Sequence, residues 1–451
     1  MTHRFKATFT EVALYKTWFF RLASVAFIAL GVPLLATATR GSLGFLALIY
    51  LAVIAGLAER SFGRVLRAMG DGMSLNKWLV LFALWYSIGV GLNILVRGNG
   101  LADWRLLIGP LTLLITLCYA FGFSRDEAAF RMFQIGLAVA LGVQSVFTIR
   151  ELSGTASIAR EMWIELEGAW GFGNQSAYAS WIMLLPVLIW RALVEQGRLR
   201  LLLLGATFLT GLTASIGSFA TPLALLTIGS GVIISLVLVF PVRGQIRPKG
   251  IILIVGMMVA GLLFYRYTQD SPLFAESYYR IENLLVDPQG GGYIGQTRAS
   301  SRVYLAELSI NSFLAKPWVG MGGGSIRISP YVGGHSSVFD SLGAYGLLGG
   351  GGALVGLMLT MLITAAKRFF SQRSWETLLA LTSVILLVVA GVSNPYGDGL
   401  PLILVLIMAR PFWLARAEES LSQPESLLHH PRKTDITQPG EFGRARLKVS
   451  R

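Results

Sequence analysis

Long apolar runs recur along most of this chain, each separated from the next by a short polar stretch. A bilayer span needs about 20 apolar residues at roughly 1.5 Å rise per residue. Runs of that kind occupy 18–38, 42–58, 78–96, 106–124, 132–149, 175–194, 200–217, 222–241, 250–265, 338–365, 377–393 and 399–415. They predict about twelve transmembrane helices. Two polar segments interrupt the pattern, 150–174 between the fifth and sixth runs and 266–334 between the ninth and tenth. In the second, Val303, Leu305, Leu308, Ile310 and Leu314 recur at helical spacing and predict an amphipathic helix from Arg302 to Ala315. Lys316-Pro317 ends it, because proline lacks the N–H that a continuing helix needs. Glycine turns follow at Gly320, Gly322, Gly323, Gly324, Gly333 and Gly334. A connection this long usually carries structure and function of its own.

The chain therefore divides into a nine-helix region, 1–265, a long loop, 266–334, three last helices, 335–416, and a polar tail, 417–451. The tail holds Pro424, Pro431 and Pro439 and is expected to be disordered. The expected fold class is an all-α polytopic membrane protein.

Composition agrees. Of 451 residues, 54% are hydrophobic and 14% charged, with a mean hydropathy of +0.63. Soluble domains carry about a quarter charged residues. The net charge of +14 would suit a nucleic-acid binder, but its distribution argues otherwise. With the N-terminus inside and the loops alternating, the inside segments hold 26 of the 38 Lys and Arg. The outside loops hold 11, and six of those lie in 266–334. This is the positive-inside bias; it puts both termini in the cytoplasm and the long loop outside. The basic excess then meets anionic lipid, not nucleic acid. Cys118 is the single cysteine, which excludes an intrachain disulfide and a thiolate metal site. Ala36-Thr37-Ala38 resembles a signal-peptidase site, but the run before it is long, and an uncleaved first helix is expected.

Few residues outside the membrane are suited to chemistry. His335, at the junction of the long loop and the tenth run, is the one outside histidine. Imidazole, with an ordinary pKa near 6.5, suits proton transfer at neutral pH. Taken alone, an interfacial histidine bonded to a backbone carbonyl is the plainer reading. Arg280, Arg298, Arg302 and Arg327 share its loop. Guanidinium matches phosphate oxygens, while solvation or snorkelling to headgroups is the ordinary alternative. Arg302 is the strongest of them, because it opens the expected amphipathic helix. The first nine runs hold no mid-span Asp or Glu, and Asp340 enters the tenth near its outer end. That counts against an ion-coupled carrier, which places ionisable groups near the midplane. The outside loops show no paired-carboxylate motif, so a divalent metal is not implied. Gly349 to Gly352 and Gly356 read as sites of close helix packing.

At His335 the chain resembles a known family. His335-Ser336, nine residues, then Gly346-Leu347-Leu348-Gly349 is similar to the H-[NSQ]-x9-G-x-x-[GTY] signature of the O-antigen ligase and O-antigen polymerase superfamily. Arg302 followed by Pro317-Trp318-Val319-Gly320-Met321-Gly322 resembles its R…P-x-x-G-x-G segment. Gly171-Phe172-Gly173-Asn174-Gln175-Ser176-Ala177, preceded by Trp170, resembles its G-x-F-x-N-x-N-x-x-A stretch, with Ser176 for the second Asn. The three pieces keep the family's order across roughly 168–366. One departure is Ile216, which stands where many members carry the Arg of Ser-Arg-Gly.

The resemblance implies a GT-C-like, all-α membrane glycosyltransferase of the bacterial inner membrane. Its active site would face the periplasm, and it would need no cofactor. Its donor would be a glycan on undecaprenyl pyrophosphate and its acceptor a glycan hydroxyl. His335 would be the general base. Arg302, Arg298 and Arg280 would hold the donor pyrophosphate, and Arg160, Asn174 and Tyr345 are candidate substrate contacts. A polymerase extends another lipid-linked repeat, whereas a ligase caps lipid A-core. Arg160 precedes Gly171, and Arg280 precedes Gly291, at the R-x10-G spacing of some polymerases, which tips the reading that way. A flippase or chain-length regulator is an implied partner. The alternative of another class is a lipid-linked glycan flippase.

Overall fold

The apolar runs become helices because a chain in hydrocarbon must satisfy every backbone N–H and C=O internally. The computed structural model describes residues 17–32, 42–59, 74–97, 108–123, 127–154, 175–217, 266, 296–322, 331–334, 336–372, 374–393 and 400–408. The chain divides into two units, Met1–Ala415 and Arg416–Arg451, and every described residue belongs to the first. Among the described residues all regular structure is helical. The helices are α1 (Trp18–Gly31), α2 (Ser42–Ala58), α3 (Ser74–Arg97), α4 (Ile108–Phe123), α5 (Glu127–Gly154), α6 (Gln175–Val194), α7 (Gly197–Gly217), α8 (Gln296–Ala315), α9 (Ser337–Tyr345), α10 (Gly351–Gln372), α11 (Trp375–Ser393) and α12 (Leu400–Met408). The runs expected at 222–241 and 250–265, and the tail, lie outside the described residues.

Three of these helices are long and apolar enough to cross a membrane, over Ala128–Ile149, Gly351–Gln372 and Trp375–Val392. Shorter apolar helices cover Trp18–Ala29, Ala47–Ala58, Lys77–Asn93 and Tyr178–Val194. The outer surface points the same way. On α3, Trp78, Leu81, Ile88, Leu92 and Leu95 are all exposed. An apolar stripe of that extent suits lipid and not water. These are the features of a helical membrane protein.

α6 sits at the centre, packed against α5, α7, α11 and α12. Its Tyr178 and Trp181 are buried edge to face, with ring centroids 5.2 Å apart. Small residues bring helices together elsewhere. A Cβ on Gly142 of α5 would lie 2.7 Å from the Ala206 Cβ of α7, so the two backbones are in near contact.

Several elements differ from expectation. α1 ends at Gly31, short of the run to 38, and α5 extends beyond 132–149 to Gly154, into the polar segment. The run 338–365 is not one helix, because α9 ends at Tyr345 and α10 begins at Gly351 after a turn. The loop helix α8 begins at Gln296, so Arg302 lies in its second turn and does not open it.

Candidate functional site

α8 and α9 pack together, and the side of α8 that is buried carries serines. Ser309 and Ser312 are 0% and 8% exposed, whereas Tyr304 and Leu314 are 63% and 66% exposed. Ser309 and Ser312, at i and i+3, share one side of the helix, with half-buried Leu305 one turn before them.

The stop at Lys316-Pro317 leads into a tight turn, in which the Gly320 N–H donates to the Lys316 carbonyl at 2.8 Å. From there the chain runs against the end of α9, backbone to backbone. The N–H groups of Met321 and Gly322 donate to the carbonyls of Gly343 and Ala344, both at 2.9 Å. In return, the N–H groups of Leu347 and Leu348 donate to the carbonyls of Pro317 and Trp318, both at 2.8 Å. Gly320 and Gly346 face each other in this lock, with φ of +67° and +66°. A Cβ at Gly320 would meet the Ala344 oxygen at 2.3 Å, and one at Gly346 would meet the Gly320 nitrogen at 2.4 Å. The P-x-x-G-x-G and G-x-x-G segments are therefore two halves of one backbone contact.

The break that follows is held by α3. The Trp85 indole N–H donates to the Leu348 carbonyl at 2.9 Å, and Asn93 Nδ2 donates to the Gly349 carbonyl at 3.5 Å. Gly89 lets α3 approach, since a Cβ there would lie 2.7 Å from the Gly349 carbonyl carbon. Gly356 does the same about two turns further on, against Phe82. The packing expected of Gly349 and Gly356 is thus packing against α3.

His335 lies outside the described residues, but the backbone on either side of it is described. Gly333 rests on α8, where a Cβ would meet the Leu305 oxygen at 2.3 Å, and its N–H donates to Ser309 Oγ at 2.9 Å. Gly334 has a φ of +69°. Ser336 caps α9, where its hydroxyl accepts from the Phe339 N–H at 3.1 Å and donates to the Gly391 carbonyl of α11 at 3.2 Å. Asp340 returns the contact. Its Oδ2 accepts from the Ser336 N–H at 2.8 Å, completing a reciprocal cap of the capping-box kind, one residue later than usual. Its Oδ1 accepts from the Ser309 hydroxyl at 2.5 Å. The Ser312 hydroxyl donates to the Tyr331 carbonyl.

The other expected residues divide as follows. Arg298 and Arg302 are on α8, and position 302 is one turn, about 4.5 Å along the axis, from Leu305. Tyr345, expected as a substrate contact, is a buried core residue with 4% of its surface exposed. Arg280, Arg160 and Asn174 lie outside the described residues. Ile216 is in the last turn of α7. Asp340, Ser309 and Trp85 were not expected at the site; the Ser336-to-Asp340 spacing is the one sequence signal that points to any of them. Among the described residues no group of three His, Cys, Asp or Glu is placed to hold a metal ion.

A second polar cluster lies at the opposite end of the bundle. Arg131 of α5 forms a bidentate pair with Glu195, at 2.7 and 2.6 Å. Buried Arg191 of α6 donates to Gln134 at 2.5 Å and to Glu195 at 3.4 Å. The Arg131 hydrogen bonds hold the Glu195 carboxyl below the usual carboxylate range. Glu376, at the start of α11, is within electrostatic reach of Arg191. It lies fifteen residues from Gly391, about 22 Å along the helix.

No protein-family model matches the chain, and no curated protein matches it. The family resemblance therefore rests on the motif residues themselves.

Proposed function

We propose that the chain is a polysaccharide polymerase of the O-antigen ligase and polymerase type. It would span the bacterial inner membrane about twelve times in a GT-C-like arrangement, with both termini cytoplasmic. It transfers a glycan from undecaprenyl pyrophosphate to an acceptor glycan hydroxyl at the periplasmic face. His335 takes the proton of the attacking hydroxyl, a role that contributes roughly 10²–10⁴-fold in rate. Arg302 and Arg298, with Arg280, stabilise the charge that grows on the departing pyrophosphate.

One observation carries this reading. Two motif segments that are remote in sequence join in a single backbone lock, and Gly333, on one flank of His335, is bonded to the helix that bears Arg298 and Arg302. A base and an anion-binding group on one rigid frame are what in-line displacement at a sugar carbon needs. Arg160 and Arg280, at R-x10-G spacing, favour polymerase over ligase.

Complementation tests the reading. Wild type, His335→Ala and Arg302→Ala would be expressed in strains lacking either the polymerase or the ligase. Membrane levels would be checked and the lipopolysaccharide resolved on a gel. The expected result is a ladder restored in the polymerase-null strain by wild type alone. Capping of core in the ligase-null strain would instead make the protein a ligase. A ladder that survives His335→Ala would remove the general base.

A further inference from the structure

The buried carboxyl of Asp340 and the buried hydroxyl of Ser309 play no part in the chemistry just described, yet they join three elements around position 335. Ser309 is on α8 and Asp340 on α9, and both are 0–1% exposed. Ser309 Oγ accepts from the Gly333 N–H, two residues before the histidine. The same hydroxyl donates to Asp340 Oδ1. Asp340 Oδ2 accepts from the Ser336 N–H, the residue after the histidine. Ser336 in turn bonds to the Gly391 carbonyl on α11. One continuous chain of hydrogen bonds thus runs from Gly333 to Ser336 through two side chains and spans the histidine position.

We propose that Asp340 and Ser309 form a positioning clamp, which fixes the backbone on both sides of His335 so that its imidazole is presented in one direction. This rests on the reading of His335 as the base. The clamp works by geometry. Glycines at 333 and 334 bring no side chain of their own to fix the direction of the backbone, so bonded partners set it. An amide in place of the carboxyl can make these two bonds. Its oxygen accepts from the Ser336 N–H and its NH₂ donates to Ser309 Oγ, which still accepts from Gly333. Ser309 then turns its own proton to the Leu305 carbonyl, already 3.2 Å away.

The test uses the full chain in lipid nanodiscs. The donor probe is lipid-linked glycan extracted from membranes of the native host after deletion of the gene. Asp340→Ala and Ser309→Ala are expected to lower kcat by about 10²-fold, the scale of a misplaced catalytic group, with the KM for donor unchanged. Asp340→Asn is expected to stay near wild type. In the wild-type protein, hydrogen exchange at the Gly333 and Ser336 amides is expected to be as slow as in α9. Wild-type kcat in Asp340→Ala, alongside an inactive His335→Ala, would overturn the clamp and leave the base in place. Loss in Asp340→Asn equal to that in Asp340→Ala would also overturn it, since the carboxyl would then act through its charge. Should the alanine variants fail to fold, Asp340→Asn and the exchange measurement still decide, and fast exchange at Gly333 and Ser336 refutes the clamp. An active His335→Ala would instead be a failure of the base assignment, read separately.

Discussion

Replacing Gly346 by alanine tests the backbone lock directly. Its φ of +66° and ψ of −171° fall in a region that is essentially open to glycine alone, at a cost for alanine of order 1–3 kcal/mol. The new methyl would also stand 2.4 Å from the Gly320 nitrogen and 2.6 Å from the Trp318 carbonyl carbon. Both are main-chain atoms, so no rotamer change relieves the overlap, and the two strands of the lock must part. That endangers the Leu347-to-Pro317 and Leu348-to-Trp318 hydrogen bonds, each worth about 0.5–1.5 kcal/mol net. The total is about 2–6 kcal/mol, summing these two terms. Gly197 is the control. It too has a positive φ, +62°, but a Cβ there meets nothing within 4 Å, so alanine costs only the backbone term of about 1–2 kcal/mol. Both variants would be followed by thermal unfolding in detergent and by glycan ladder formation. Gly346→Ala should melt well below Gly197→Ala and lose the ladder. Equal melting of the two would refute the argument, because it would mean that the lock contributes nothing beyond backbone strain.

Gly89→Val should weaken both melting and activity, because its side chain would push α3 off the Gly349 backbone; activity at wild-type level would show that the break needs no support from α3. Arg302→Lys should retain less than about a tenth of the activity while folding normally, since lysine keeps the charge but not the planar fork, and a ladder assay on matched membrane levels reads it. Glu195→Gln bears on pH. The folded carboxyl lies below its ordinary value of about 4.3, so its contribution is present above that value and is lost as pH falls through the folded one. Wild type should therefore melt above Glu195→Gln at neutral pH, and the gap should close in acid; a gap that widens in acid would contradict the sign.

Element positions were legible where a run of apolar residues is the whole signal. α2 and α6 coincide with the runs read at 42–58 and 175–194. The break between α9 and α10 was not legible, because it depends on a partner far away in the chain. Nothing in 346–350 alone distinguishes glycines that end a helix from glycines that let one pack. What distinguishes them is Pro317 to Gly322, lying against the end of α9. The buried side of α8 was not legible either, because Ser309 and Ser312 are buried by hydrogen bonds to Asp340 and to the Tyr331 carbonyl, partners that no apolar periodicity records. The segments that meet in the lock were legible as motifs, but their contact, and Trp85, Ser309 and Asp340 around it, were not.

The lock is built from peptide groups, and that bears on how such a sequence can drift. Pro317, Trp318, Gly343 and Ala344 contribute carbonyls, while Met321, Gly322, Leu347 and Leu348 contribute N–H groups. Any residue supplies a carbonyl, and any but proline an N–H. Where the two segments touch, at Gly320 and Gly346, and where Gly343 meets α8, the side chain itself has to be absent. A lineage could rewrite many of the letters between these glycines and keep the same frame. Its record would then shrink to a few glycines at fixed intervals, too sparse for a whole-chain comparison to register.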